Sequence, residues 1–221
     1  GPWYPPIPAA SFSSLALYKE RKKRGLSGIT ALCGLAPDGR FDMRHFRRLI
    51  ASVENQSAWV DHPDCRIMVA DTNTGERVAL GTSTAPTATM QDAVCASHAV
   101  PGWCPPVRIG GRTFVDGGIV SPCSADTLVN SNVDEVYVLA PMASWQMDHS
   151  LNPAVRIERR VRRLMTQTDD REIAQLKQAD KKVCYLGPNA LELKAIGFNM
   201  MDHRRRKRVF NVACAQRSAA V

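Results

Sequence analysis

Arg112-Thr113-Phe114-Val115-Asp116-Gly117-Gly118 decides how this chain is read. Thr113, Phe114 and Val115 are strand formers. They follow Val107-Arg108-Ile109 across Gly110-Gly111, a turn signal for a tight hairpin. The hairpin delivers Asp116 on a stiff element and leaves its carboxylate projecting from a rigid edge, where a general base is useful. The two glycines that follow let the backbone turn sharply and let other groups approach closely. By itself Asp-Gly-Gly reads equally well as a plain tight turn.

The surroundings are more specific. Upstream stands Ala96-Ser97-His98-Ala99-Val100-Pro101-Gly102-Trp103-Cys104-Pro105-Pro106. The whole run Asp92–Ala125 resembles the patatin-like phospholipase family, whose members show A-S-x-A-x-P, then P-P-V, a short hairpin and D-G-G. Leu35–Asp42, Arg66–Val78 and Glu135–Pro141 extend the resemblance, which covers roughly Leu35 to the C-terminus. It implies a serine acyl hydrolase of lipid esters, of phospholipase A or lysophospholipase type, working through a Ser–Asp dyad. In that reading Asp116 is the catalytic base, Gly117 and Gly118 complete its motif, and no metal or organic cofactor is needed. The implied fold is α/β: a three-layer patatin-like sheet, related to the α/β hydrolases, covered by helices.

Two family motifs are not found. The family places a glycine-rich oxyanion loop with an arginine, and a G-x-S-x-G nucleophile elbow, N-terminal to everything above. Nothing in Gly1–Gly34 matches either. The expectation is therefore the C-terminal part of a patatin-like domain, lacking its N-terminal strands. The nucleophile would come from a missing N-terminal segment or a second chain, and the isolated chain would be inactive. Gly81-Thr82-Ser83-Thr84-Ala85 is a near miss to the elbow. Pro86 follows at once and disfavours a helix starting after the serine, and about thirty residues separate Ser83 from Asp116. Ser83 reads as a loop residue, not the nucleophile.

Composition narrows the alternatives. With 44% hydrophobic and 23% charged residues the chain is ordinary for a globular protein, and it has no apolar run long enough for a transmembrane helix. Seven cysteines, Cys33, Cys65, Cys95, Cys104, Cys123, Cys184 and Cys214, show neither C-x-x-C nor zinc spacing. They read as buried small side chains in a reducing compartment, which suggests a cytoplasmic protein; a place at the membrane periphery is what its clustered basic charge and the resemblance's lipid substrate add to that expectation. Cys104 stands where the family commonly has an aromatic residue; nothing nearby lowers a thiol pKa, so a reactive role is disfavoured. His45, His62, His98, His149 and His203 lack a triad context, and only His98, beside Ser97, is placed to line the site.

The net charge of +8 is clustered at Lys19–Arg24, Arg44/Arg47/Arg48, Arg156–Arg163 and His203–Arg208. Such runs are either solvated helix faces or attractors of an anionic membrane surface. A nucleic-acid-binding module is a third function reading, alongside the hydrolase and a catalytically inactive lipid-binding or regulatory homologue. Against it, aromatics are 6% of the chain and do not interleave with the basic runs.

Element signals complete the reading. Ser11 or Ser13 caps a helix through about Lys23, ended by Gly25. Residues 42–54 form a helix with Phe46, Leu49, Ile50 and Val53 inward, and Thr89 caps a helix over 91–99. Cys65–Asp71 and Arg77–Leu80 form a hairpin, and Ser121 or Ser124 caps a short helix to about Val129. Glu135–Ala140 reads as a strand buried on both faces. A long helix runs from Pro153 to about Ala179 with Ile157, Val161, Leu164, Met165 and Leu176 as its apolar stripe and its arginines off that stripe. Lys182–Leu186 is a strand, 190–196 a helix, and a basic helix starts near Asp202. Residues 1–34 are read as a peripheral lead-in and helix, and 35–221 as the patatin-like part.

Overall fold

The computed structural model describes residues 9–53, 59–62, 64–145, 151–197 and 202–218. Contacts divide the chain into two compact units, one ending at Val120 and one beginning at Ser121; no linker-like composition marks that point. Trp3 to Pro8 of the lead-in, and His149, lie outside the described residues.

The first unit holds α1 (Leu15–Lys19), α2 (Arg21–Arg24), α3 (Gly28–Cys33), α4 (Arg44–Val53), β1 (Ile67–Asp71), β2 (Arg77–Leu80), α5 (Met90–Ser97), β3 (Val107–Ile109) and β4 (Arg112–Asp116). The strands form one sheet in the order β2-β1-β4-β3, with every neighbouring pair antiparallel. Both hairpins are built by local chemistry. Asp71 Oδ1 accepts the N–H groups of Asn73 and Thr74 at 2.8 and 3.0 Å, and Gly75 takes the left-handed conformation that closes the turn. Arg112 Nε donates to Asp71 Oδ2 at 2.8 Å and ties the hairpins together. Burial works against ionisation of Asp71, yet the guanidinium and the two amides hold its carboxyl below the usual value.

Successive residues on these strands face opposite sides of the sheet, and both sides are covered. Val69, Val78, Leu80 and Phe114 pack with Ala93, Cys95, Ala96 and Ala99 of the α5 region. Ala70 and Val115 pack with Leu17 of α1 and Ile119, joined by Leu26 and Cys33. The α/β class, with helices on both faces of a sheet, is thus realised within this unit.

Three expectations change here. Residues 9–34 are not peripheral, because Leu17 is fully buried under the sheet. The first helix breaks at Glu20 into α1 and α2, and α3 appears where no helix was expected; Ser27 Oγ caps it by accepting the Thr30 N–H at 3.1 Å. On α4, Ile50 is buried and Phe46 packs inward, but Leu49 and Val53 are exposed. The helix rests one narrow edge on α5, fixed by a 2.6 Å contact of Arg47 with Asp92.

The second unit has a short 3-10 turn (Ala125–Leu128), β5 (Glu135–Leu139), α6 (Pro153–Gln178), β6 (Lys182–Leu186), α7 (Ala190–Ile196), a second 3-10 turn (His203–Arg205) and α8 (Arg206–Ser218). Strands β5 and β6 pair in parallel, Glu135 opposite Lys182 and Leu139 opposite Leu186, with α6 as the crossover that parallel pairing requires. Val136, Val138 and Ala140 pack with Leu176, Val183 and Tyr185. The expectation that β5 is buried on both faces is not met: burial alternates, and Tyr137 and Leu139 are exposed.

Helix α6 also departs from expectation. Arg159, Arg162, Thr166, Asp169, Glu172 and Leu176 are buried, at three-and-four spacing, whereas Val161 and Leu164 are exposed. The inward face is mostly polar because its neighbours are backbone ends that need partners. Arg159 Nη2 donates to the Leu193 carbonyl at 2.7 Å and Nη1 to that of Gly197 at 3.3 Å, closing the C-terminus of α7. Arg162 donates to the Pro141 carbonyl at 3.0 Å and to Glu158 at 2.8 Å. Thr166 Oγ1 accepts the Ser144 N–H, and Glu172 Oε2 the Ala125 N–H. No described helix is long and apolar enough to cross a membrane.

Candidate functional site

Asp116 is the last residue of β4, opposite Val69 of β1. Its N–H donates to the Ala99 carbonyl at 3.1 Å, which fixes the strand end against the loop after α5. The chain then turns into a 3-10 segment, Gly117–Ile119, and Gly118 N–H donates to Asp116 Oδ1 at 2.8 Å. One carboxylate oxygen is thereby held, and the side chain is aimed by a rigid strand from behind. Thr30 Oγ1 of α3 donates to the Ile119 carbonyl at 2.8 Å, so the segment after the glycines is also anchored.

The glycine at 117 is required by close approach. A Cβ there would stand 2.7 Å from the Met68 carbonyl oxygen and 2.8 Å from its carbon, inside any allowed contact. Gly118 is under milder constraint, its Cβ position being 3.1 Å from Asp116 Oδ1. Both glycines named in the sequence reading therefore have structural reasons to stand beside Asp116.

Asp116 is half-buried. Burial raises its carboxyl above the usual value; the Gly118 N–H and the charge of His98 oppose that shift without cancelling it. A carboxylate raised toward neutrality binds a proton more tightly and is a better base than an exposed one. The groups around it come from three elements. Cys33 of α3 and Cys104 of the loop after α5 lie in its field: burial pushes both thiols up, Cys104 to about 11 against an opposing backbone hydrogen bond to Val100, and the charge of Asp116 adds to both shifts. These are neutral thiols, in line with the reading that Cys104 is not a nucleophile.

His98 ends α5, exposed, with Nδ1 at 3.1 Å from the Val94 carbonyl and its ring 4.7 Å from that of Phe46. The sequence singled out His98 by its neighbour Ser97. Cys33 could not be associated with Asp116 from sequence, because α3 itself was missed. The cap Ser27-x-x-Thr30 was the available signal.

Ser83 does not join this group. It lies exposed in the turn after β2, not at a helix start, and makes no hydrogen bond to Asp116. Strands β2 and β4 are separated by β1, two strand spacings or about 10 Å. Among the described residues no group of three or more His, Cys, Asp or Glu side chains is arranged to hold a metal ion.

A sheet with helices on both faces and the half-buried, anchored Asp116 carboxylate at the end of β4 define an α/β protein with a candidate acid–base site. The model of a known family, described as patatin-like phospholipase, matches residues 24–129, from the end of α2 through Asp116 and the first 3-10 turn of the second unit. Over that stretch the chain is similar to the patatin-like phospholipase family, which supports a lipid-hydrolase assignment at the family level. No curated protein matches it.

Proposed function

We propose that this chain carries the base of a Ser–Asp acyl hydrolase of lipid esters, with Asp116 as that base. The observation behind the reading is the geometry of Asp116: one oxygen pinned by Gly118 N–H, the backbone pinned to Ala99, and partial burial that raises the proton affinity. Such a carboxylate takes the proton of a serine hydroxyl as the oxygen attacks the ester carbon, with no histidine between them. It returns the proton to the departing alcohol, and a water molecule repeats the cycle on the acyl-enzyme. Backbone N–H donors must stabilise the oxyanion.

The sequence carries no G-x-S-x-G segment to supply the serine. The turn that holds Ser83 after β2, two strands from Asp116, speaks against Ser83 as nucleophile, and this reading assigns the serine to a segment or chain outside this sequence. The substrate class is the phospholipase A or lysophospholipase type, and the dyad needs no cofactor.

The experiment is labelling with a fluorophosphonate probe. The 221-residue chain should remain unlabelled, whereas a protein that joins it to a G-x-S-x-G segment should label at that serine. Stoichiometric labelling of the chain alone, mapped to Ser83, would overturn the assignment.

A further inference from the structure

The exposed surface of α1–α3 combines features that the interior of the fold does not use. Phe12, Tyr18, Leu32 and Leu35 are 50%, 47%, 65% and 42% exposed. They stand on segments that touch one another. A Cβ on Gly34 would meet the Ser14 carbonyl oxygen and the Tyr18 amide, each at 2.8 Å, so the end of α3 crosses directly over α1. Leu35 N–H donates to the Leu32 carbonyl. Ser11 and Ser13, on either side of Phe12, are tied to Asp38: the Asp38 N–H donates to the Ser11 carbonyl at 2.7 Å, and Ser13 Oγ donates to its carboxylate at 2.6 Å.

The charge beside this apolar surface is one-sided. Residues 19–24 read Lys-Glu-Arg-Lys-Lys-Arg, five basic against one acidic. Lys19, Arg21, Lys22 and Lys23 are exposed, and Lys23 reaches Glu20 only at 3.9 Å. Among the described residues no carboxylate pairs with Lys19, Arg21 or Lys22. Two further basic runs are poorer candidates: in 156–163, Arg159 and Arg162 are buried and spent on carbonyls and Glu158, and in 203–208, Arg204 and Arg205 are drawn to Asp202.

We propose that α1–α3 form a docking surface for an anionic lipid bilayer. The basic run supplies the attraction to negatively charged headgroups, about a fivefold gain per suitably placed Lys or Arg. The ring of Tyr18, with its polar tip, and the side chains of Phe12, Leu32 and Leu35 supply the shallow apolar contact. Two weak signals together are what reversible peripheral binding needs. An aromatic with a polar end is at home at the headgroup level. Leu32 is the immediate chain neighbour of Cys33, whose thiol lies in the field of Asp116. That adjacency gains a catalytic meaning only through the hydrolase reading; the docking itself does not depend on it.

Vesicle flotation of the 221-residue chain tests this without any turnover. Binding is expected to phosphatidylserine-containing vesicles and not to pure phosphatidylcholine, and to fall steeply between about 50 mM and about 300 mM salt as the charges are screened. The combined Lys19→Gln, Lys22→Gln and Lys23→Gln variant should lower the partition coefficient on the order of 100-fold. The Arg156→Gln, Arg160→Gln variant should change it less than threefold. All substitutions are at exposed positions, and a circular-dichroism melt checks that the fold is kept; the salt titration of the unmodified chain stands independently of any variant. Equal binding to both lipids, binding to neither, or a triple variant that floats like the original would overturn the proposal. So would capture by RNA that the triple variant abolishes while vesicle binding is absent, which would make the run a polyanion site.

Discussion

Asp169 offers the sharpest quantitative test of the packing described for α6. Its side chain is buried, 1% exposed, and neither oxygen makes a hydrogen bond of normal geometry. Burial pushes its carboxyl up to about 6 from 3.8; the Cys123 thiol beside it opposes the shift, and the charges of Glu172 and Asp170 add to it. The sign follows from linkage. The folded chain holds this proton more tightly than the unfolded chain, so Asp169 costs nothing below about pH 4. Between pH 4 and 6 the unfolded chain ionises first and stability falls. Above pH 6 the full penalty applies, on the order of 3 kcal/mol.

Asp169→Asn keeps the shape of the protonated acid and removes the penalty. Urea unfolding followed by tryptophan fluorescence, with Trp145 stacked edge-on against Tyr185 in the same cluster, is the assay. At pH 7.5 the variant should unfold at a urea concentration higher by about 1–2 M, for a slope of about 2 kcal/mol/M. At pH 4 the two proteins should coincide. Equal shifts at both pH values, or destabilisation at pH 7.5, would show that Asp169 is not a buried, under-partnered acid.

Gly117→Ala should cost about 1–3 kcal/mol, because its methyl must displace the Met68 carbonyl; a drop in melting temperature checks it. Arg162→Ala should destabilise by about 3–5 kcal/mol, since Glu158 and the Pro141 carbonyl lose their buried partner. Arg160→Ala, on the exposed face of the same helix, should stay within about 0.5 kcal/mol. Thr30→Val should cost about 1 kcal/mol by leaving the Ile119 carbonyl without its donor.

Much of the site was legible because its signals are local. The Gly110-Gly111 turn, the alternating β3–β4 residues and the Thr89 cap each sit within a few residues of what they determine. Asp116 could therefore be placed at a strand end from the sequence. Face assignments failed where burial is decided by partners far along the chain. On α6 the apolar period suggested Val161 and Leu164 inward, but the carbonyls of Pro141, Leu193 and Gly197 need donors, and Arg159 and Arg162 supply them. On β5 a continuous apolar run reads as doubly buried, yet only Val136 and Val138 face the α6 side. α3 was hidden because six residues, Gly-Ile-Thr-Ala-Leu-Cys, are too short to show a period.

The central claim is that Asp116 is the base of a lipid-ester hydrolase. Its most direct test is the hydrolysis of a short-chain p-nitrophenyl ester by a protein joining these residues to the serine-bearing segment, comparing Asp116 with Asp116→Asn. The expected result is a fall in kcat of roughly 10²–10⁴-fold with an unchanged melting temperature. The unmodified protein should show an acid limb set by a group above the usual aspartate range. Turnover by the Asn variant close to that of the unmodified protein would contradict the assignment.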